Sequence, residues 1–466
     1  MGDYDLSITA VGARDELRIV PARYDTDGDG QWDEVETDDD LPYDPNSLID
    51  NQFHNLEVRL AGQHGEHDSR SRLMFGWSRQ ASLLAEFGKL SQAPELGAVG
   101  QFTLLAERWD RWTLAPELTV RGGARLMVLP TEVTSWRNQS GDSLGVITKD
   151  LRLQSGLWAD AQVERGRWWV SPGMRLAVHR FADNTRVEPE PRVLARYDLS
   201  DTVELSAFAG RFTQQPAGHR TAEVIGNPDL PLMESWQSSV GVSLRPQPGL
   251  ELEATTYATW MPHVAVVTTD VFVAPWADEN NSEWSGNTAY LQSANNYEDV
   301  EGAAFGVELV ARYRPQGKWF GWTGLTLSKA LRFDEERRFP GDYDTPVSFI
   351  AVGARDLGRG WNASGRFRLT SGQPYTPPDP SYNANGYWGA ASLATNSERL
   401  PTFHALDLRV DKTWTGERAE WTWFVDVMNV YNRKNPMLPT FNSNYQRLVR
   451  DVYIPILPTT GLQVDF

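Results

Sequence analysis

The stretch HALDLRVDKTW, residues 404–414, has leucine or valine at positions 406, 408 and 410 and a charged residue at each position between them. Successive side chains of a β-strand point to opposite faces of a sheet, so this stretch predicts a strand with one apolar and one charged face. The same alternation recurs in HNLEVRLAG (54–62), LWADAQVER (157–165) and LELEATTYA (250–258), which predicts an all-β chain. The residues predicted on the charged face include Glu251, Glu253, Asp407, Arg409 and Asp411.

The length of the alternating segments separates two kinds of β-protein. Strands of a soluble sandwich are short, at roughly five or six residues, whereas a strand needs about 9–11 residues to cross a bilayer. Segments such as WFGWTGLTLSKALRF (319–333) exceed eight residues. A sandwich would also have to cover the charged strand faces, whereas the lumen of a barrel leaves them in water. The chain is therefore predicted to be a transmembrane antiparallel β-barrel of about eighteen strands, an even number as such barrels require.

The connections between the predicted strands fall into two sets. Short polar turns are GQHGEHDSRS, ERGRW, RPQPG, RPQGK, LGRG and TGERAE. Long segments rich in Asn, Gly, Pro and Tyr cover residues 213–234, 267–300, 334–344 and 376–399. Outer-membrane barrels have short periplasmic turns and long extracellular loops, so the pattern predicts long extracellular loops at one end.

Composition and charge exclude several other classes of protein. The 466 residues include no cysteine, so neither disulfides nor thiolate metal sites are available. A net charge of −18 argues against a nucleic-acid partner, because phosphates are bound by basic surfaces. The opening MGDYDLSITA has no basic and apolar pattern of an export signal.

Tryptophan is unusually frequent, with 19 residues, and it clusters where the predicted strands meet turns. Amphipathic rings prefer the interface between membrane and water. These clusters predict an aromatic belt in contact with outer-membrane lipid. Its members are Trp109, Trp112, Trp168, Trp169, Trp319, Trp322, Trp414, Trp421 and Trp423.

The C-terminal residues LQVDF continue the alternation to the last position. Leu462, Val464 and Phe466 are predicted to face lipid, and Gln463 and Asp465 the lumen, in a strand that closes the barrel. A terminal aromatic residue after such alternation resembles the signal that the barrel assembly machinery of the outer membrane reads. That machinery is therefore an expected partner through the C-terminal strand.

Several ordered stretches between residues 190 and 466 resemble TonB-dependent outer-membrane receptors. They include YDLSDTVELSAFAGRFTQQP (197–216), GNPDLPLMESW (226–236), ERLPTFHALDLRVDKTW (398–414) and FVDVMNVYNRKNP (424–436). The resemblance implies the outer membrane of a Gram-negative bacterium. It also implies a barrel of about 22 strands filled by an N-terminal plug.

This sequence departs from that family pattern in two respects. No plug-like stretch precedes the first strand, and the first few family strands are not evident, so residues 1–466 are expected to form a single barrel domain. A barrel with its plug removed, a naturally reduced relative and one part of a split receptor all fit this expectation. In the last case a separate plug or N-terminal chain would supply the missing strands and bring the total to about 22.

One acidic segment, DTDGDGQWDEVE at residues 25–36, has metal-ligand spacing. It follows the pattern D-x-D-x-D-G-x5-E of a calcium-binding loop, in which carboxylates at alternate positions surround the ion. Its flanks are not helical, so the motif predicts a bound Ca²⁺ but not an EF-hand domain, and a solvated acidic loop is the alternative. The predicted ligands are Asp25, Asp27, Asp29, Gln31, Asp33 and Glu36.

The sequence favours a transport function over catalysis. Its seven histidines are scattered, and no catalytic residues can be assigned, so no enzyme activity is expected. The first hypothesis is an outer-membrane transport barrel that takes up a small solute or metal chelate. A passive porin-like channel without a plug is the second, and a structural or adhesive barrel with calcium-stiffened loops is the third.

Overall fold

The structure is a computed structural model of the chain, which describes most of the predicted strands and many of the connections. The residues described are 3–18, 48–83, 97–139, 142–222, 226–267, 297–314, 317–376, 383–384, 387–388, 395–441, 448–452 and 455–465.

The described residues are almost entirely β-strands. Apart from them, the described ranges contain one short 3₁₀ helix, Gly218–Arg220. Across the described ranges, no helix has the length and apolar character needed to cross a membrane. The strands are β1 Asp3–Arg18, β2 Leu48–His64, β3 His67–Leu83, β4 Gly97–Ala115, β5 Leu118–Gln139, β6 Asp142–Arg165, β7 Trp168–Phe181, β8 Asn184–Ser200, β9 Val203–Gln214, β10 Met233–Gln247, β11 Leu250–Val267, β12 Tyr297–Tyr313, β13 Trp319–Phe333, β14 Arg338–Pro340, β15 Val347–Gly358, β16 Trp361–Thr370, β17 Pro374–Tyr375, β18 Asn383–Ala384, β19 Tyr387–Trp388, β20 Glu398–Arg399, β21 Phe403–Thr415, β22 Glu420–Met428, β23 Pro436–Phe441, β24 Leu448–Val452 and β25 Leu457–Asp465.

One antiparallel sheet of 19 strands makes up the body of the molecule. Each long strand pairs with the next long strand in the chain, as β1 does with β2 and β21 with β22. Without the three-residue β14, eighteen long strands remain, which confirms the predicted fold class and strand number. Three two-stranded sheets lie apart from it, namely β17–β20, β18–β19 and β23–β24.

The two ends of the sheet differ in their connections, as the sequence predicts. At one end, here called the turn end, all connections are short, and Gly65 and Gly166 turn the chain with positive φ angles of 61° and 62°. The other end, the loop end, carries the long connections, including 215–232, 334–346 and 371–402. Two connections at the loop end are nevertheless short. One, at residues 182–183, joins β7 to β8, which remain paired to their last residues. The other lies between β5 and β6, where the pairing extends to Gln139 and Asp142 and leaves only two residues outside the strands.

The two faces of the sheet also differ, and β21 shows this most simply. Leu408 and Val410 are 45% and 39% exposed on the outer face, where lipid surrounds a membrane barrel. Asp407 precedes Leu408 in the same strand, but it is only 6% exposed and points to the inner face. The predicted assignment of apolar residues to the outside and charges to the inside is therefore confirmed for this strand.

The tryptophans at the turn end divide between these faces. Trp112, Trp168, Trp319, Trp414, Trp421 and Trp423 are exposed on the outer face, as the predicted belt requires. The belt prediction is wrong for Trp109, Trp169 and Trp322. Trp109 lies under Arg70 on the inner face and Trp169 under Arg196, each guanidinium 5.0 Å from the ring centre. Trp322 lies directly across from Arg312, which pairs with Glu253 on the inner wall. Period 2 explains the division, because adjacent residues such as Trp168 and Trp169 cannot share a face.

A second aromatic pair marks the loop end of the outer face. Trp236 and Trp260 are direct partners across β10 and β11, and both are exposed. Their indole N–H groups donate to Glu234 at 2.7 Å and to Glu301 at 3.2 Å. The strand length from Leu250 to Trp260, at about 3.3 Å per residue and a tilt of about 40°, covers about 25 Å of bilayer height. This equals the usual apolar band of an outer-membrane barrel.

The last strand follows the predicted alternation. Leu462 and Val464 lie across from Trp423 and Trp421, on the outer face of β22. Gln463 and Asp465 alternate with them, and the Gln463 amide donates to the Asp465 carboxylate at 3.1 Å. Phe466 lies outside the described residues. Within those residues β25 pairs with β22 and β1 with β2, so the predicted closure by the last strand is not among the pairings.

Candidate functional site

The inner wall is a lattice of arginine–carboxylate pairs between neighbouring strands. Arg121 donates to Asp160 at 2.8 Å, Arg175 to Glu190 at 3.1 Å, and Arg312 to Glu253 at 2.6 Å. These charges satisfy one another in a space that lipid does not reach, and a polar interior of this kind can hold water or a polar solute. The predicted lumen residues Glu251, Glu253, Asp407, Arg409 and Asp411 all belong to this wall.

One connection at the loop end folds inward onto this wall. It runs from β9 to β10 over residues 215–232, and its described residues, 215–222 and 226–232, are called the strap below. Its first residues surround Arg152 of β6, whose side chain is only 4% exposed. The Arg152 guanidinium donates to Gln215 at 3.2 Å, to Thr221 at 3.1 Å and to the carbonyl of Pro216. Asp150, at 3.2 Å, balances its charge.

The strap also reaches strands on its other side. Arg220 donates to the carbonyl of Ala265 on β11 at 2.6 Å, and its guanidinium lies 5.5 Å above the ring of Tyr297. Asn227 donates to the carbonyl of Tyr297 on β12 at 2.8 Å. Burial and the charges of Arg220 and Arg152 lower the pKa of His219, so this side chain is neutral at neutral pH. The strap therefore carries a fixed positive charge at Arg220 beside a neutral imidazole.

A second connection is held by the fully buried carboxylate of Asp344. It accepts from Lys329 at 3.0 Å and from the backbone N–H of Ala330 at 2.6 Å, and it pairs with Arg399. Burial alone would raise the pKa of Asp344, but these donors together hold that pKa below its ordinary value. The carboxylate stays charged and holds the connections 334–346 and 371–402 against β13. The group formed by Asp344, Lys329 and Arg399 is called the clasp below.

A third cluster surrounds Asp407, at the loop-end part of β21. Its carboxylate accepts from Arg366 at 2.8 Å, from Arg368 at 3.0 Å and from the N–H of Asn429 at 2.9 Å. Asn429 has a positive φ of 51°, which lets the chain turn sharply at the end of β22. Asp407 therefore joins three strands and fixes the start of the connection that follows β22.

Together these contacts make the loop end of the lumen a polar surface with fixed shape. Sequence reasoning identified Asp407 as a lumen charge but missed Arg152 and Asp344, because their partners are remote in the chain. Gln215 is 63 residues from Arg152, and Arg399 is 55 residues from Asp344. No local spacing signals such pairs.

The predicted calcium ligands cannot be placed on this surface. Asp25, Asp27, Asp29, Gln31, Asp33 and Glu36 lie outside the described residues, so calcium binding at 25–36 stays a prediction. Within the described ranges, no group of three or more histidine, aspartate or glutamate side chains is arranged to hold a metal ion.

Comparison with known proteins shows which proteins this chain is similar to. A family model described as "TonB dependent receptor-like, beta-barrel" matches residues 3–430. The solved ferripyoverdine receptor of the outer membrane of Pseudomonas aeruginosa has a TM-score of 0.70 at 12% identity, over 99% of this chain and 63% of that chain. The ferric-catecholate import receptor Fiu from Escherichia coli K12 gives 0.68 at 11% identity, over 99% and 72%. The copper transporter OprC gives 0.62 at 13% identity, over 90% and 67%.

These likenesses carry different weight. At such low sequence identities the solved structures support only the fold of this chain. The family model carries more weight, because it covers most of the chain. A comparison with curated proteins finds no match. The chain spans less than two thirds of the length of the ferripyoverdine receptor.

Proposed function

The chain belongs to the family of TonB-dependent receptor-like β-barrels of the Gram-negative outer membrane, and we propose that it takes part in the uptake of a small solute or metal chelate. The main observation in support of this proposal is the family match over residues 3–430. The described residues in this range form a sheet with a polar inner wall and an apolar outer face. A solute that enters such a lumen meets charged groups in fixed positions.

The solved structures that resemble this chain support the class of cargo. They include a receptor bound to ferripyoverdine, a ferric-catecholate import receptor, a ferric citrate transporter and a copper transporter. In all four the cargo contains a metal, and in three it is a chelate. We therefore favour a metal chelate over an uncharged nutrient.

The proposal includes three kinds of expected partner. Outer-membrane lipid is expected around the apolar band between the tryptophans of the two ends. The barrel assembly machinery is expected to read the C-terminal strand, and a plug together with the energising protein TonB is expected from the family. The second and third hypotheses, a passive pore and an adhesive barrel, become outcomes of the test below.

Uptake by whole cells tests the proposal. Bacteria with and without the gene for this protein are given radioactive iron or copper as a panel of chelates, with and without a protonophore. We expect the deletion strain to lose uptake of at least one chelate, and we expect the protonophore to abolish that same uptake in the intact strain. Uptake that resists the protonophore indicates a passive pore. Equal uptake of every chelate by the two strains contradicts the proposal and favours the structural or adhesive barrel.

A further inference from the structure

The strap, residues 215–222 and 226–232, contacts parts of the wall that are far apart in the sheet. The ideal Cβ position of Gly218 is 3.1 Å from Thr131 of β5, and two residues later Arg220 bonds to Ala265 of β11. Six strand-to-strand steps separate β5 from β11. One turn of 3₁₀ helix can touch both only from the concave side of a curved sheet. The strap therefore occupies space inside the lumen at the loop end.

The contacts at Arg152 are those of a fixed structure. The guanidinium is buried, and its donors are met by a carboxylate, an amide oxygen, a hydroxyl and a backbone carbonyl. The Gln215 amide, which is 3% exposed, donates in turn to the carbonyls of Leu153 at 2.6 Å and Arg180 at 3.1 Å. Any inward or outward swing of the strap would leave the buried Arg152 guanidinium without its acceptors on Gln215, Pro216 and Thr221, which opposes such a movement.

We propose that the strap is a fixed constriction that sets the size limit of the passage, and that Arg152 is the residue that positions it. This inference rests on the proposed transport function but concerns only the free passage of solute, not its identity. Arg152 acts through the strap and contacts no solute itself. Among the described residues of the strap, Ala217 and Asp229 are exposed, whereas His219 and Arg220 lie against Tyr297.

Substitution of Arg152, the residue that positions the strap, provides the first arm of the test. The full chain is reconstituted in lipid vesicles, and swelling is measured in neutral sugars of increasing size. For Arg152→Ala we expect the exclusion limit to shift to larger sugars, with partial rescue in Arg152→Lys, which restores the charge but not the forked geometry. The matched control is Arg108→Gln. Arg108 is also paired with a carboxylate, that of Asp110, and its hydrogen bonds go to Asp110 and Ser71 on β4 and β3, not to the strap. The exclusion limit of this variant should equal that of the native protein.

A cysteine lock provides the second arm and does not depend on removal of a buried charge. The native chain has no cysteine, so Thr131→Cys with Gly218→Cys creates a unique pair at a distance suited to a disulfide. We expect this bond to form under mild oxidation and to leave the exclusion limit and the cellular uptake of chelates unchanged. Each single cysteine variant is the control for the substitution itself.

The outcomes separate the constriction from its alternatives. If the oxidised pair abolishes passage that returns on reduction, the strap is a moving gate and the proposal is overturned. If Arg152→Ala has the native exclusion limit, including the case in which neither protein admits any sugar, the strap sets no size limit and the proposal is also overturned. Loss of chelate uptake is measured in a separate experiment, so a failure of the proposed function is distinguished from a failure of the constriction.

Discussion

The two faces of β21 place neighbouring residues in opposite surroundings. Leu408 is 45% exposed on the outer face, whereas Asp407, one residue earlier, is 6% exposed and holds two arginines and a backbone N–H. The outer residue needs only to be apolar, because lipid covers it whatever its neighbours are. The inner residue needs particular partners, because a charge without partners on a partly buried wall is costly.

This difference shows which features of the chain are local and which are not. The outer face depends on alternation within each strand, so many substitutions that remain apolar should be tolerated there. The inner face depends on pairs that join strands and connections far apart in sequence. A single change on the inner face should therefore disturb several elements at once.

The largest effect is expected from the loss of a carboxylate on the inner face. Asp407→Ala should leave Arg366, Arg368 and the N–H of Asn429 without their shared acceptor. We expect the free energy of unfolding to fall by about 3 kcal/mol, the lower end of the range for a broken buried pair, because the arginines are partly exposed. Urea unfolding in lipid vesicles, followed by tryptophan fluorescence, measures it. The control Asp411→Ala, on the same face but paired with Arg409 alone, should cost less.

A charge on the outer face should have the next largest effect. Leu408→Arg places a cation near the middle of the apolar band, and we expect a loss of about 2 kcal/mol in the free energy of unfolding, since arginine can extend toward the interface. The control Leu408→Met keeps the site apolar and should cost less than about 1.5 kcal/mol. Equal stability of the arginine variant and the native protein in vesicles would mean that this face meets water.

A smaller and local effect is expected at the clasp around Asp344. Asp344→Asn removes the charge that Lys329 and Arg399 share, and we expect the connections it holds to lose about 1–3 kcal/mol of local stability. Faster protease cleavage within 334–346 measures this change, while the barrel itself stays folded. Glu336→Gln, an exposed position in the same connection, should cleave at the native rate.

The same clasp predicts a dependence on pH. Since the pKa of Asp344 is held below its ordinary value, the charged carboxylate stabilises the clasp at neutral pH. That stabilisation should be lost only as the pH falls below the usual aspartate range and through the lowered pKa. Cleavage of the native protein within 334–346 that accelerates already near neutral pH would contradict this assignment.

The smallest effect is expected in the aromatic belt of the outer face. Lys412 lies 5.5 Å from the ring centre of Trp361 and 5.7 Å from that of Trp414, at the turn end. Lys412→Ala removes both cation–π contacts, together with the hydrogen bond from Lys412 to the carbonyl of Arg359, and should lower the free energy of unfolding by about 0.5–1 kcal/mol. Lys149→Ala is the control, because Lys149 is exposed and pairs with Glu132, and no aromatic ring among the described residues makes such a contact with it. Equal losses for the two variants would assign no stabilising role to the belt at this position.

Particular residues show how far the sequence alone predicts this molecule. Alternation around Leu408 predicts both the strand and its faces, and the polar turns predict which end is short, because these features depend on neighbouring residues only. The same rule, applied strictly, would have placed Trp169 inside and Trp168 outside. The strap and the clasps could not be predicted, because the partners of Arg152 and Asp344 are brought together only by the order of the whole sheet.

The central claim is that the two faces of each strand meet different solvents, lipid outside and water inside. Single cysteines at Leu408, Arg409, Val410 and Asp411 test it most directly, because the native chain contains no cysteine. In intact outer membranes, a membrane-soluble maleimide should label positions 408 and 410, and a charged, water-soluble maleimide should label 409 and 411. Labelling of all four positions by the water-soluble reagent, or a reversed alternation, would contradict the assignment of the faces and with it the account of the lumen.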